Sequence, residues 1–127
     1  MKPNPRFVKS VKELDVYRKA FSAAMEIFQK SKSFPVEERF SLTDQIRRSS
    51  RSVFACIAEA YKKRKYPNHF VSKLTDSDME NGETQSWLDA ALACEYNSQE
   101  KYDELNKKSE EVSYLLIYMI NNPDKFK

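Results

Sequence analysis

Hydrophobic residues recur every three or four positions along four segments of the chain, the spacing that places them on one face of an α-helix. The first segment should end before Phe34-Pro35, because a residue that precedes a proline disfavours the helical conformation. The four predicted helices are Phe7 to Lys32, Phe40 to Lys65, Pro67 to Leu92 and Asn97 to Met119.

Two local signals refine the third and fourth helices. Asn81-Gly82 is a turn signal inside the third, but the apolar period resumes in phase after it, and one glycine costs a helix only about 1 kcal/mol. We therefore expect one continuous helix. Asn97 or Ser98 should cap the fourth, with Glu100 in capping-box position relative to Asn97.

The chain has 127 residues, the length of one domain, and a single glycine. A many-stranded sandwich or barrel needs far more turn residues than this. Four helices joined by short connections favour an all-α, antiparallel up-down-up-down four-helix bundle spanning residues 1–127.

The fourth helix carries a second apolar stripe, formed by Tyr114, Ile117 and Tyr118, outside the heptad seam that runs from Tyr102 to Met119. A helix that is apolar on two faces must bury more than one of them. Oligomerisation would bury this stripe, and so would an unusually broad core-facing surface.

Composition points to a protein of the cytoplasm. The longest apolar run, Tyr114 to Ile120, is far shorter than the ~20 residues of a membrane span, and the first residues lack a signal-peptide pattern. Cys56 and Cys94 lie in apolar stretches without a CxxC pattern, so we expect reduced, buried thiols.

The net charge of +3 hides an uneven distribution of charge. Residues 1–65 hold sixteen Lys and Arg against seven Asp and Glu, whereas residues 66–127 hold six against twelve. Complementary halves can pack on each other, associate head to tail between identical subunits, or leave the basic half to an anionic partner.

The second helix combines two stripes. Ile46, Ser50, Val53, Ile57 and Ala60 occupy core spacing, and a second stripe is polar or small: Gln45, Arg48, Ser52, Ala55 and Glu59. Three arginines, Arg47, Arg48 and Arg51, lie on or beside the second stripe. Their planar guanidinium groups suit phosphate or carboxylate, so they either bind RNA or form ion pairs with helix-three acids such as Glu80 and Glu83.

The run Lys62, Lys63, Arg64 and Lys65, followed by Tyr66, is the strongest candidate for an anion-binding patch. Cations at a helix C-terminus also interact favourably with the helix dipole, so the same run fits a solvated helix end. On the third helix, Trp87 lies beside Leu88 and Ala91, and we expect it to be largely buried.

No pattern for catalysis is present, so the sequence indicates a protein that is not an enzyme and has no cofactor or small-molecule substrate. His69 is the only histidine and has no ligand partners at metal-site spacing, which predicts no metal site. One glycine cannot form a phosphate-binding loop. Ser49, Ser50 and Ser52 are explained by helix packing or backbone hydrogen bonding.

The segments LTDQIRRSSRSV and IAEAY closely resemble the signature of the four-helix-bundle proteins encoded in 23S rRNA intervening sequences. LDVYRKAF in the first helix and KLTDSDMENGETQSWLDAAL in the third extend the similarity over nearly the whole chain. The family is distantly similar to the accessory variability proteins of diversity-generating retroelements. The chain departs from the pattern at Phe54, Cys56 and Ala60, where the family usually has Pro, Asn and Gly. These changes make the second helix more regular and remove a possible kink.

The resemblance implies a cytoplasmic bundle that assembles into a homopentameric ring without known enzymatic activity. The rRNA-gene setting and the retroelement relatives imply RNA or a nucleic-acid-processing protein as partner. Lys62, Lys63, Arg64, Lys65, Arg47 and Arg51 are then the nucleic-acid-binding candidates. The assembly or structural candidates are Gln45, Arg48, Glu59, Glu83, Trp87, Tyr114, Ile117 and Tyr118.

Two functional hypotheses follow. In the first, a ring-forming protein binds RNA through these basic residues. In the second, it is an oligomeric scaffold whose charges only hold subunits together.

Overall fold

The computed structural model describes residues 10–127 and confirms the all-α, antiparallel four-helix bundle. Its helices are α1 (Asp15–Ser31), α2 (Leu42–Lys62), α3 (Pro67–Ala93) and α4 (Gln99–Asn121). Short 3-10 turns cover Val11–Glu13, Val36–Glu38 and Pro123–Phe126. Each helix packs against the next in sequence, most extensively α2 against α3, and α4 closes the bundle against α1.

Two predicted boundaries were too generous. The first helix begins at Asp15, after a separate turn at Val11–Glu13, and the predicted start at Phe7 lies outside the described residues. The second helix ends at Lys62 and not at Lys65, since the backbone N–H groups of Lys63 and Arg64 bond the carbonyls of Ala60 and Tyr61 and close the last turn. The basic run therefore lies partly in the α2–α3 connection.

The third helix is continuous through Asn81-Gly82, as predicted. It ends in a Schellman arrangement, in which the N–H of Tyr96 bonds the carbonyl of Ala91 at 2.8 Å and the N–H of Glu95 bonds that of Leu92 at 2.9 Å. Glu95 adopts φ 63°, a conformation that suits glycine. Ser98 caps α4 by accepting a hydrogen bond from the Lys101 N–H at 3.1 Å. Asn97, the alternative cap, is buried beside it.

The three- and four-residue spacing of Tyr17, Phe21 and Phe28 predicts that they lie on the buried face of α1, but the structure buries a different face. The largest apolar side chains of this helix, Tyr17, Phe21 and Phe28, remain partly or substantially exposed. Smaller residues form the core face: Val16, Ala20, Ala23, Ala24 and Ile27. Alanines allow neighbouring helices to approach closely, so the aromatic rings are displaced to the edge of α1, where Phe21 lies 5.0 Å from the ring of Phe54 on α2.

A buried polar layer separates two apolar clusters of the core. The layer consists of Ser49, Ser50, Ser77, Asn81, Thr84 and Ser109. The hydroxyl of Thr84 donates to the Ser49 hydroxyl at 2.8 Å, and Ser77 donates to the Val53 carbonyl at 2.7 Å. Since these polar groups have partners, the layer fixes how the helices are aligned without leaving a buried hydrogen bond unmade.

Hydrogen bonds join the α1–α2 connection to the α3–α4 connection at one end of the bundle. The carboxylate of Glu38 accepts hydrogen bonds from the Ser41 hydroxyl at 2.5 Å and the Tyr96 hydroxyl at 2.9 Å. The Ser41 bond, with that of Tyr96, lowers the pKa of Glu38, and the bond to Glu38 raises the pKa of Tyr96 to about 12. The α1–α2 and α3–α4 connections are thereby linked.

Candidate nucleic-acid interface

The basic end, defined by Lys62 to Lys65, lies where α2 finishes and α3 begins. Lys62, Lys63 and Lys65 are exposed, and within residues 10–127 none of them has a carboxylate within ion-pair distance. Their charges are therefore available to an anion approaching this end of the molecule.

Arg64, the fourth member of the run, serves the fold. Its guanidinium lies 4.0 Å from the centre of the Tyr61 ring and donates to the Tyr61 carbonyl at 3.0 Å. This bond satisfies a backbone acceptor at the end of α2, the part of a helix where a cation is also favoured by the dipole. Of the four predicted binding residues, the three lysines are free to contact a ligand, whereas Arg64 caps the C-terminal end of α2.

An exposed aromatic pair follows the lysines. Tyr66 is 62% exposed, and its ring meets that of His69 edge to face, with centroids 6.2 Å apart. In the sequence, Tyr66 stands out only as the residue after the basic run, and His69 only as a histidine without metal-ligand partners. The α2–α3 turn brings the two rings together, because Pro67 starts α3 and places His69 one turn beyond Tyr66.

The three arginines of α2 have different surroundings. Arg48 meets Glu83 at 2.6 Å and Glu80 at 3.5 Å on α3, the ion pairing weighed from the sequence. The bond to Arg48 lowers the pKa of Glu83, and the bond to Glu83 raises the pKa of Arg48. Arg48 thus joins two helices of its own chain.

Arg47 and Arg51 do not pair with helix-three acids. Both lie over the ring of Phe28 on α1, with guanidinium carbons 4.7 and 5.3 Å from its centre. Arg47 Nε also donates to the hydroxyl of Ser31 at 2.7 Å. They form a shallow groove on the outer side of α2 together with Asp44, Arg48, Ser52, Phe54 and Ala55.

The remaining assembly candidates lie at the partly or fully exposed surface of the bundle. Glu59 pairs with Lys73 on α3 at 2.7 Å, which raises the pKa of Lys73, and Gln45 is partly buried. On the outer side of α4, Tyr114 is 77% exposed, Ile117 48% and Tyr118 43%. Within the monomer, this second apolar stripe is therefore not part of a broad core.

The predicted burial of Cys94 was wrong, and Trp87 and Cys56 are less buried than predicted. Trp87 is only partly buried, because it sits at the margin of α3 where its indole Nε1 can donate to Glu83 at 3.3 Å. Cys94 is exposed, since it follows the last residue of α3, and Cys56 is partly buried. Burial raises the pKa of the Cys56 thiol, which disfavours the reactive thiolate.

Residues 10–127 contain neither a metal-binding cluster nor a membrane-spanning helix. No three His, Cys, Asp or Glu side chains in this part of the chain come together in a group able to hold a metal ion. None of its helices has the length and apolar character needed to cross a bilayer.

Comparison with known proteins establishes the family. No curated protein matches the chain. A solved structure from Bacteroides thetaiotaomicron, described as a protein of unknown function from the S23 ribosomal protein family, is similar at 33% identity with a TM-score of 0.75. The similarity covers 83% of this chain and 97% of that one. The model of the 23S rRNA-intervening sequence protein family matches residues 12–118. The chain therefore belongs to the 23S rRNA-intervening sequence protein family.

Proposed function

We propose that this protein binds RNA through the phosphate groups that its basic end can contact. The observation that carries the proposal is that Lys62, Lys63 and Lys65 are exposed and have no carboxylate partner in the described part of the chain. Other cations of the bundle, such as Lys73 and Lys108, pair with acids. Unpaired lysines gathered at one end release counterions when they meet phosphates, which gives affinity with little sequence preference.

The family description supports the same partner class, because its members are named for sequences that interrupt 23S rRNA. A family name is only associational support for a binding partner, whereas the exposed lysines provide a physical reason for phosphate binding. Arg47 and Arg51 provide a second, smaller basic surface on the side of α2.

The test measures RNA affinity at several salt concentrations for two double variants. Lys63→Gln with Lys65→Gln removes two charges from the basic end; the control, Lys30→Gln with Lys107→Gln, removes two charges elsewhere. Each lost phosphate contact should flatten the dependence of log K on log salt by about 0.7–0.9, so the first variant should lose about 1.4–1.8 from this slope and the control almost nothing. Absence of salt-dependent RNA affinity in the wild-type protein would refute the proposal.

A second candidate function, that of an oligomeric scaffold, is favoured by the apolar stripe on α4. Glu110 lies beside Tyr114 and Ile117 on the outer side of that helix, whereas the α2 groove contains Arg47 and Arg51. These surfaces are complementary in charge, and α4 of one subunit packing into the α2 groove of the next would be a heterologous contact able to close as a ring. A homopentamer is the expected product.

Light scattering tests this assembly. We expect an oligomer in moderate salt and its dissociation by Tyr114→Ala combined with Ile117→Ala. Val36→Ala is the control, because Val36 is 81% exposed on a different part of the surface. A monodisperse monomer of the wild-type protein at tens of micromolar would reject the scaffold, and an oligomer unaffected by the α4 changes would reject this interface.

A further inference from the structure

The aromatic pair at the basic end bears on the kind of RNA that this surface can bind. Tyr66 is 62% exposed although it is a large aromatic residue, and His69 beside it is also exposed. Because Tyr66 stays 62% exposed with His69 in edge-to-face contact, much of its ring is open to solvent. An open aromatic face next to unpaired lysines has the two parts of a single-strand binding site: a surface on which a base stacks and cations that hold the backbone.

The backbone holds this platform in place. The N–H of Tyr66 bonds the Lys63 carbonyl at 2.9 Å, and its own carbonyl accepts from the Phe70 N–H at 2.9 Å. Phe70 is 1% exposed and anchors the first turn of α3 in the core, where its ring lies 6.2 Å from that of Phe126. Because Pro67 also fixes the backbone between the rings, little backbone freedom remains for a ligand to remove on binding.

We infer that Tyr66, supported by His69, stacks on an unpaired base, so that the basic end binds single-stranded RNA in preference to duplex. This inference rests on the proposed RNA binding and adds the class of RNA. Duplex RNA offers the same phosphates to Lys62, Lys63 and Lys65, but its bases already stack on one another and present no free face to Tyr66. A stacked base contributes affinity that no phosphate contact supplies.

The experiment compares single-stranded and duplex oligonucleotides of equal length in binding to tag-free protein. Tyr66→Ala should weaken single-strand binding about fivefold or more and leave duplex binding and the salt slope unchanged, since it removes a base contact and no phosphate contact. Tyr66→Phe keeps the ring and should retain wild-type affinity. Phe40→Ala, at another highly exposed aromatic residue that lies in the α1–α2 connection, is the matched control and should have no effect.

His69 supplies a direct reading of the same contact because it is the only histidine. Its imidazole proton resonances should shift on titration with single-stranded RNA and much less with duplex. Equal effects of Tyr66→Ala on both RNAs, or no effect on either, would overturn the stacking inference while the lysine variants still report phosphate binding. If the wild-type protein binds neither RNA, both the proposed function and this inference fail.

Discussion

Asn81 provides the sharpest test of the buried polar layer. Asn81 is only 4% exposed, and its Nδ2 donates a hydrogen bond to the Ser109 carbonyl at 2.8 Å. Its Oδ1 accepts from the Ser109 hydroxyl at 2.9 Å. Asn81→Asp preserves the shape and the acceptor but replaces the donor with an oxygen. When ionised, the new carboxylate faces the Ser109 carbonyl; when protonated, it can donate to that carbonyl and restore the bond.

The expected cost follows from these contacts. The substitution removes the donated hydrogen bond and leaves two acceptors facing each other, which lowers the free energy of unfolding by about 1–3 kcal/mol. Burial of a carboxylate without a cation lowers it further. We expect Asn81→Asp to lower the free energy of unfolding by about 2–4 kcal/mol at neutral pH. Burial should raise the folded-state pKa of the introduced carboxyl. The protonated network is therefore intact below the ordinary pKa of about 3.9, and stability is lost as the pH rises through the raised value.

Urea unfolding followed by circular dichroism across this pH range measures the difference from wild type. Asn68→Asp is the matched control, because Asn68 is exposed in the first turn of α3, where a carboxylate is tolerated or slightly favourable. A stability loss for Asn81→Asp that does not depend on pH, or that equals the control, would show that the Asn81–Ser109 bonds do not hold the layer together.

Four further outcomes are expected in thermal or urea unfolding. Gly82→Ala should stabilise the protein by about 0.5–1 kcal/mol, because Gly82 is helical and no atom lies within 4 Å of the added methyl position. Glu95→Gly should gain about 0.5–1 kcal/mol by removing the left-handed strain at φ 63°. Trp87→Ala should cost about 1–3 kcal/mol, less than the ~3–5 kcal/mol of a fully buried aromatic, and the wild-type fluorescence should be only modestly blue-shifted. Tyr96→Phe should destabilise the protein most at intermediate pH, where the Tyr96–Glu38 hydrogen bond is intact. Because the pKa of Glu38 is lowered, the stability from this bond is lost as the pH falls through that pKa. Because the pKa of Tyr96 is raised, the same stability is lost as the pH rises from about 10 to about 12.

The helices themselves were predictable because helix formation depends on local pattern. The continuity of α3 through Gly82 followed from the phase of the apolar residues on either side, and Ser98 was one of the two caps, with Asn97, that the sequence offered for α4. The pairing of Arg48 with Glu83 was one of two alternatives that the residue types allowed.

The rotation of each helix about its axis was decided only by the tertiary structure. Segment α1 is apolar around much of its circumference, and its spacing favoured a core face that contains Phe21. Close packing of neighbouring helices placed Ala20 in the core instead. The same rotations put Arg47 over Phe28 and Trp87 at an edge.

For the basic end, the sequence determined where the lysines lie along the chain, and the fold determined whether they were neutralised. A charge run does not reveal which acids will stand opposite it, because ion pairs form between residues far apart in sequence, as with Lys19 and Glu111. Folding gave carboxylates to Arg48 and Lys73 and left Lys62, Lys63 and Lys65 exposed. The contact between Tyr66 and His69 arose in the same way, from the turn that joins α2 to α3.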